Sequence, residues 1–173
     1  MKPGKWGITE SRLSKRLRKK GTTMKDLSKQ EMIDLLSKMT EGVLAVTNGD
    51  VPYCIPIGHV CVGDTVFFSI FPKGRKWDYI QKIPKVCFTV FDWFDNKTRW
   101  ASVVVDGEME QIDDWETVEA VVRANMEKQG LDPDEYLEKR MDYYRRTEGK
   151  SNGVKIFRIK TSDMQGKTAG VHS

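Results

Sequence analysis

No stretch of this 173-residue chain approaches the roughly 20 consecutive apolar residues needed to span a bilayer, and the N-terminus lacks the short apolar segment and small-residue cleavage site of a secretory signal. A cytoplasmic protein is expected. Cysteine is scarce: Cys54, Cys61 and Cys87 are too few and too irregularly spaced for a disulfide framework, and three thiols cannot all pair within one chain. They read as buried thiols. Histidine is scarcer, with His59 and His172 alone. Cys54, His59 and Cys61 give a Cys-x4-His-x-Cys spacing, but no Cys-x2-Cys pair or second cluster completes a tetrahedral zinc site, so no metal is expected and His59 reads as a satisfied histidine. A Ser-His-Asp triad would have His59 alone to draw on, since His172 lies at the chain end, and hydrolase chemistry is disfavoured. The pair Asp113 and Asp114 precedes a helix, where capping accounts for it.

What is present is ordinary globular material. Hydrophobic residues make up 39% and charged residues 31%, which suits one packed domain and excludes collagen-like, disulfide-rich and disordered classes. The net charge of +4 is unevenly placed. Residues 1–25 hold nine Lys or Arg against Glu10 alone, leaving 20 basic and 24 acidic residues in the rest. We divide the chain into a basic, flexible tail over 1–25 and a single domain over 26–173. The run Arg16-Leu17-Arg18-Lys19-Lys20 could meet nucleic acid or an anionic surface, but a solvated tail is the better reading.

Ser28-Lys29-Gln30-Glu31 forms a capping-box pattern, and Met32, Leu35, Leu36 and Met39 follow at helical spacing. A helix is predicted over about 29–40, with Gly42 as its left-handed stop. From Val43 the period becomes that of strands. Val43–Thr47, the turn Asn48-Gly49, a strand from about Pro52 to Val62, the turn Gly63-Asp64 and Thr65–Ile70 make an antiparallel meander. A short helix carrying Trp77, Ile80 and Ile83 ends at Pro84. A long hairpin joins Val86–Phe91 to Trp100–Val105, the latter continuing toward Ile112 around the turn Asp95-Asn96-Lys97. Helices then start at Asp114 and at Asp132-Pro133, and Val154–Ile159 alternates like a half-buried edge strand. The fold class is mainly β with flanking helices: a small antiparallel barrel that relieves its exposed edges by closing.

Two local features carry chemistry. Ser69 ends a strand, and Gly74-Arg75-Lys76 opens the short helix behind it, so a hydroxyl, two cations and free helix N–H groups can converge as a phosphate monoester requires. Gly-Arg-Lys also suits an ordinary solvated loop. In Tyr53-Cys54-Ile55-Pro56-Ile57-Gly58 the proline cannot donate to a ladder, so this strand is an edge or is bulged, and its free backbone groups can face a flat heteroaromatic ring. A barrel corner bent by Pro56 is the structural alternative.

The ordered series Gly42–Thr47, Pro52–Ile57, Val66–Ser69, Gly74-Arg75-Lys76, Val86–Phe88 and Ser102–Gly107 resembles the pyridoxamine 5′-phosphate oxidase-like FMN-binding split barrels, especially the nitroimidazole-resistance-type branch. The likeness runs across about residues 29–112, with Gly166-Lys167 similar to the family's usual ending. It implies FMN as cofactor, the isoalloxazine ring against the backbone of Ile55, Pro56 and Ile57, and the phosphate held by Ser69, Gly74, Arg75 and Lys76. Ser102 falls where the vitamin-B6 oxidases place a glutamine that contacts the flavin. It also implies a homodimer whose two subunits line the pocket, with Trp93 or Trp100 offered by the partner. The C-terminal Trp-and-Arg signature of true pyridoxine-phosphate oxidases is not evident, and many nitroimidazole-resistance-type relatives have His where Ser69 stands.

The resulting expectation is an FMN-dependent oxidoreductase acting on a small organic molecule, with a nicotinamide nucleotide as electron donor. No side chain stands out as acid or base. Two alternatives remain: a non-catalytic module holding haem or a deazaflavin, with His59 as an axial ligand, and a β-barrel nucleic-acid binder using the basic tail, which the acidity of the rest of the chain weakens.

Overall fold

Elements of the computed structural model are described for residues 23–94 and 97–170. The basic tail therefore lies outside the described residues up to position 22, as do His172 and the first two residues of the Asp95-Asn96-Lys97 turn. The chain runs β1 (Thr23–Asp26), α1 (Lys29–Lys38), β2 (Glu41–Thr47), β3 (Pro52–Gly58), β4 (Val60–Val62), β5 (Thr65–Ile70), α2 (Gly74–Lys82), β6 (Lys85–Phe94), β7 (Arg99–Ile112), α3 (Trp115–Lys128), α4 (Pro133–Thr147) and β8 (Lys155–Gly170).

Local chemistry sets the helix starts. Ser28 and Glu31 exchange the two bonds of a capping box, with the Glu31 carboxylate 2.8 Å from the Ser28 N–H. Asp114 accepts from the Thr117 N–H at 2.8 Å, and Asp132 caps α4 with Pro133 at its first position. The far end of α1 corrects the sequence reading. The helix stops at an extended Met39, and Gly42 lies inside β2, where an added Cβ would run into the Phe88 ring and the Thr89 carbonyl. Glycine serves close packing there, not helix termination.

All strands belong to one curled antiparallel sheet in the order β3-β2-β6-β7-β8-β5-β4, with β1 on β8. The predicted strand over 52–62 breaks at His59. Its first part pairs with β2, while β4 pairs with β5. Because β3 and β4 are one continuous length of chain, the sheet comes round on itself and stays open where β3 and β5 diverge: a split antiparallel barrel.

β8 also differs from expectation. It is a 16-residue interior strand, with β7 along one side and β5 and β1 along the other, whereas its first residues alone read as an edge. A bulge between Asp106 and Gly107 lets the β7–β8 ladder continue past Ser162. Alternation fills the barrel with Leu44, Val46, Phe68, Phe88, Val90, Val103, Val105 and Ile159, and α1 adds Met32, Leu35 and Leu36. A second cluster packs Val118, Val121, Val122 and Met126 of α3 and Met141 of α4 on Val60, Phe67 and Ile156. The thiols are less buried than expected: Cys54 is exposed and Cys61 and Cys87 are half-buried. Cys54 and Cys87 lie in register with Ala45, on the sheet face turned away from the barrel.

Candidate functional site

The split is bounded on one side by β3, whose ladder partner among the described residues is β2 alone. Half of its backbone N–H and C=O groups consequently have no strand to bond, and Pro56, opposite Val43, has no N–H to offer. Pro56 thus sits on an edge strand, as its chemistry requires. Tyr53, Ile55 and Ile57 are half-buried against the core, while Cys54, Pro56 and Gly58 are exposed on the opposite face.

Ser69 and the start of α2 lie beyond the split. Ser69 is exposed between buried Phe68 and Ile70. The first turn of α2 has no side-chain cap, since Lys73 occupies the N-cap position. Gly74 adopts φ +78° with open space where a Cβ would sit. The Arg75 guanidinium stacks 4.4 Å from the centre of the Tyr53 ring and 5.1 Å from that of Tyr79, and its Nε donates to the Tyr79 hydroxyl at 3.1 Å. Lys76 is half-buried, and burial pushes its pKa down. Neither Arg75 nor Lys76 has an ion-pair partner among the described residues. Two cations with no ion-pair partner among the described residues, an uncapped helix start and a glycine with open space beside it are the kind of donor set that a phosphate requires.

A cavity of about 370 Å³ opens at the head of the split. Ile57 and Ser69 share it with His59, and Asn125 and Lys128 of α3 form its far wall. The Lys128 ammonium donates to the Met39 carbonyl and, at 3.1 Å, to that of His59. It thereby ties the end of α1 to the break between β3 and β4. Desolvation lowers the Lys128 pKa. His59 is 4% exposed; its Nε2 donates to the Leu36 carbonyl at 2.8 Å, and its buried Nδ1 has no partner among the described residues. The histidine is only half satisfied.

Desolvation above all holds the His59 pKa at about 4, against 6.5 for a free imidazole. Below pH 6.5 the unfolded chain takes up a proton that the folded chain refuses until about pH 4, so stability falls between those values and is independent of this group above them. The shift corresponds to about 3 kcal/mol. Urea unfolding at pH 7 and pH 4.5 checks this: the wild-type midpoint drops on acidification, and His59→Gln, which keeps an N–H for Leu36, shows a shallower drop.

Ser102 lies elsewhere. It is half-buried on β7, opposite Phe91 on one side and Lys167 on the other, three strands along the sheet from β3, or about 14 Å at usual strand spacing. The outward sheet face around it is aromatic. Phe91 stacks on Trp100 at 5.9 Å and meets Trp93 edge-on at 5.5 Å, and Phe91 and Trp93 are nearly half exposed.

The fold sets Arg75 against Tyr53 of β3, brings Ile57 and Ser69 to one cavity, turns Pro56 outward and sets Ser102 apart. Sequence reasoning missed Tyr53, Tyr79 and Lys128. The four-residue spacing of Arg75 and Tyr79 on one helix was a usable signal. Nothing local marks Lys128, whose partners are 89 and 69 residues away. Among the described residues no cluster of His, Cys, Asp and Glu could hold a metal, and no helix is long and apolar enough to cross a membrane.

Residues 28–168 match the family model described as pyridoxamine 5′-phosphate oxidase. A comparison with curated proteins found no match. Among solved structures, an FAD-binding protein of Mesorhizobium loti aligns with TM-score 0.60 and 22% identity over 87% of this chain and 99% of its own. A Bacteroides thetaiotaomicron protein, described as a candidate for 5-nitroimidazole antibiotic resistance, aligns with TM-score 0.65 and 20% identity over 87% and 90%. A haem-binding protein of Mycobacterium smegmatis aligns with TM-score 0.60 and 12% identity over 81% of this chain and 54% of its own. These likenesses establish the shared fold.

Proposed function

Since the chain belongs to the pyridoxamine 5′-phosphate oxidase family, we propose that it binds FMN in the split of its barrel and works as a flavin-dependent oxidoreductase on a small organic molecule. The observation that carries this reading is the donor set at the start of α2: a half-buried Lys76 without a counter-ion among the described residues, following Arg75 at the uncapped first turn, with the Arg75 guanidinium over Tyr53 of the edge strand β3. A phosphate fits that donor set, and an anion beside Lys76 offsets the desolvation that lowers its pKa.

Gly74, Arg75 and Lys76 would hold the phosphate. Ser69 would assist through its exposed hydroxyl. The backbone of Ile55, Pro56 and Ile57 would face the ring edge. Bound there, the flavin supplies the electron transfer, and the protein supplies orientation and electrostatics. The neighbouring cavity would take the small substrate, with the Lys128 ammonium as its fixed charge and the apolar wall of Ile57 and Phe67 excluding water. A nicotinamide nucleotide is the electron donor we favour.

A second copy of the chain completes the site in this reading. The exposed Phe91 and Trp93 and the half-buried Trp100 cover each other only in part, and docking two such faces would bring the partner's Ser102 toward a pocket that the chain's own Ser102 does not reach. Activity as a true pyridoxine-phosphate oxidase is not proposed: residues 155–173 contain no Trp, and their one Arg, Arg158, pairs with Glu110 at 2.7 Å. A haem reading, prompted by the Mycobacterium smegmatis neighbour, meets an obstacle in His59, which is buried and already bonded through Nε2.

Titration of the purified protein with FMN tests the proposal. Saturable quenching of flavin fluorescence at one FMN per chain, followed by bleaching of bound flavin with a nicotinamide nucleotide under anaerobic conditions, is the expected result. Absence of binding would overturn it, and binding without reduction would leave a flavin carrier in place of an oxidoreductase.

A further inference from the structure

We infer that Tyr53 and Tyr79 are positioning residues that clamp Arg75, so that the site reads the phosphate of its cofactor as well as the ring. The inference rests on the FMN reading above and adds to it a source of selectivity between phosphorylated and unphosphorylated flavin.

Arg75 stands on the exposed side of α2, and an arginine in such a place ordinarily samples many rotamers, losing that freedom when it binds an anion. Here the freedom is already restricted. The guanidinium lies over the Tyr53 ring at 4.4 Å and the Tyr79 ring at 5.1 Å, and the two rings meet nearly perpendicular, at 76° and 6.2 Å, so they form a corner. The bond from Nε to the Tyr79 hydroxyl fixes rotation within that corner. It uses the Nε–H and leaves all four Nη–H groups for a bidentate phosphate contact through the two Nη atoms. Tyr79 follows Arg75 by one helical turn, whereas Tyr53 comes from β3, two residues before Ile55. The clamp therefore joins the phosphate end of the site to the strand that faces the ring.

A clamp acting through Arg75 must change affinity for FMN and not for riboflavin, which lacks the phosphate. Tyrosines that merely shore up the wall of the split would change both alike. The test measures dissociation constants for FMN and riboflavin by fluorescence quenching with wild type, Tyr53→Leu, Tyr79→Phe and Tyr53→Phe, with thermal midpoints to show that each is folded. Wild type is expected to prefer FMN. Tyr53→Leu and Tyr79→Phe are each expected to weaken FMN binding about 5- to 20-fold with riboflavin unchanged, and Tyr53→Phe, which keeps the ring face, to stay within about twofold of wild type.

Equal losses for both flavins, or an unchanged preference in the variants, overturn the clamp while leaving the phosphate cradle standing. A wild type with no preference for FMN over riboflavin overturns both. Should Tyr53→Leu fail to fold, Tyr79→Phe alone decides, since it removes a single hydroxyl from a half-buried ring.

Discussion

Replacing Arg75 and Lys76 together by alanine is expected to weaken FMN affinity roughly 10²- to 10³-fold, with little change in the thermal midpoint of the protein without cofactor. Hydrogen bonds to charged groups contribute about 1.5–3 kcal/mol each, and every 1.4 kcal/mol is tenfold in affinity. Stability should hardly change, because neither side chain belongs to the buried core or to an ion pair among the described residues. Removing Lys76 even relieves the cost of keeping a half-buried charge that has no ion-pair partner among the described residues. Isothermal titration with FMN checks the affinity and a melting curve checks the fold. Retention of wild-type affinity by the double variant would show that the phosphate is bound elsewhere.

The second large effect concerns the outer sheet face. Phe91→Glu with Trp93→Glu is expected to convert a dimer into monomers and to abolish tight FMN binding, although both residues are remote from Arg75 in the same chain. Large aromatic side chains dominate interfaces, and two charges facing their own copies across a twofold axis repel. Phe91 is 46% and Trp93 48% exposed, on neighbouring outward positions of β6, so the substitution asks little of the folded monomer. Sedimentation of wild type and variant, with FMN titration of each, separates the outcomes. A monomeric variant that still binds FMN at wild-type affinity would mean that one chain holds the whole site. A wild-type monomer would remove the partner from the account.

The edge strand that bounds the split was legible because its signal is local. Pro56 in an otherwise strand-like run announces an edge wherever the strand sits, since a missing N–H is a property of the residue. The start of α2 at Gly74 and the caps at Ser28, Asp114 and Asp132 are local for the same reason, the caps being satisfied within three residues of themselves. What escaped depends on distant partners. Val154–Ile159 alternates like an edge, but the polar stretch beyond it remains strand because β7, about fifty residues earlier, supplies a ladder across a bulge. Gly42 resembles a helix stop until Phe88 is packed against it. Lys128 resembles an ordinary surface lysine on α3, and only the fold brings it to the carbonyls of Met39 and His59.

The most direct measurement is the visible absorption spectrum of the full-length protein after reconstitution with excess FMN and removal of the free cofactor. The account predicts an oxidised flavin spectrum at one flavin per chain, with the chromophore recovered as FMN on denaturation. A colourless protein, or one that binds no FMN and shows a Soret band after exposure to haem, would contradict it.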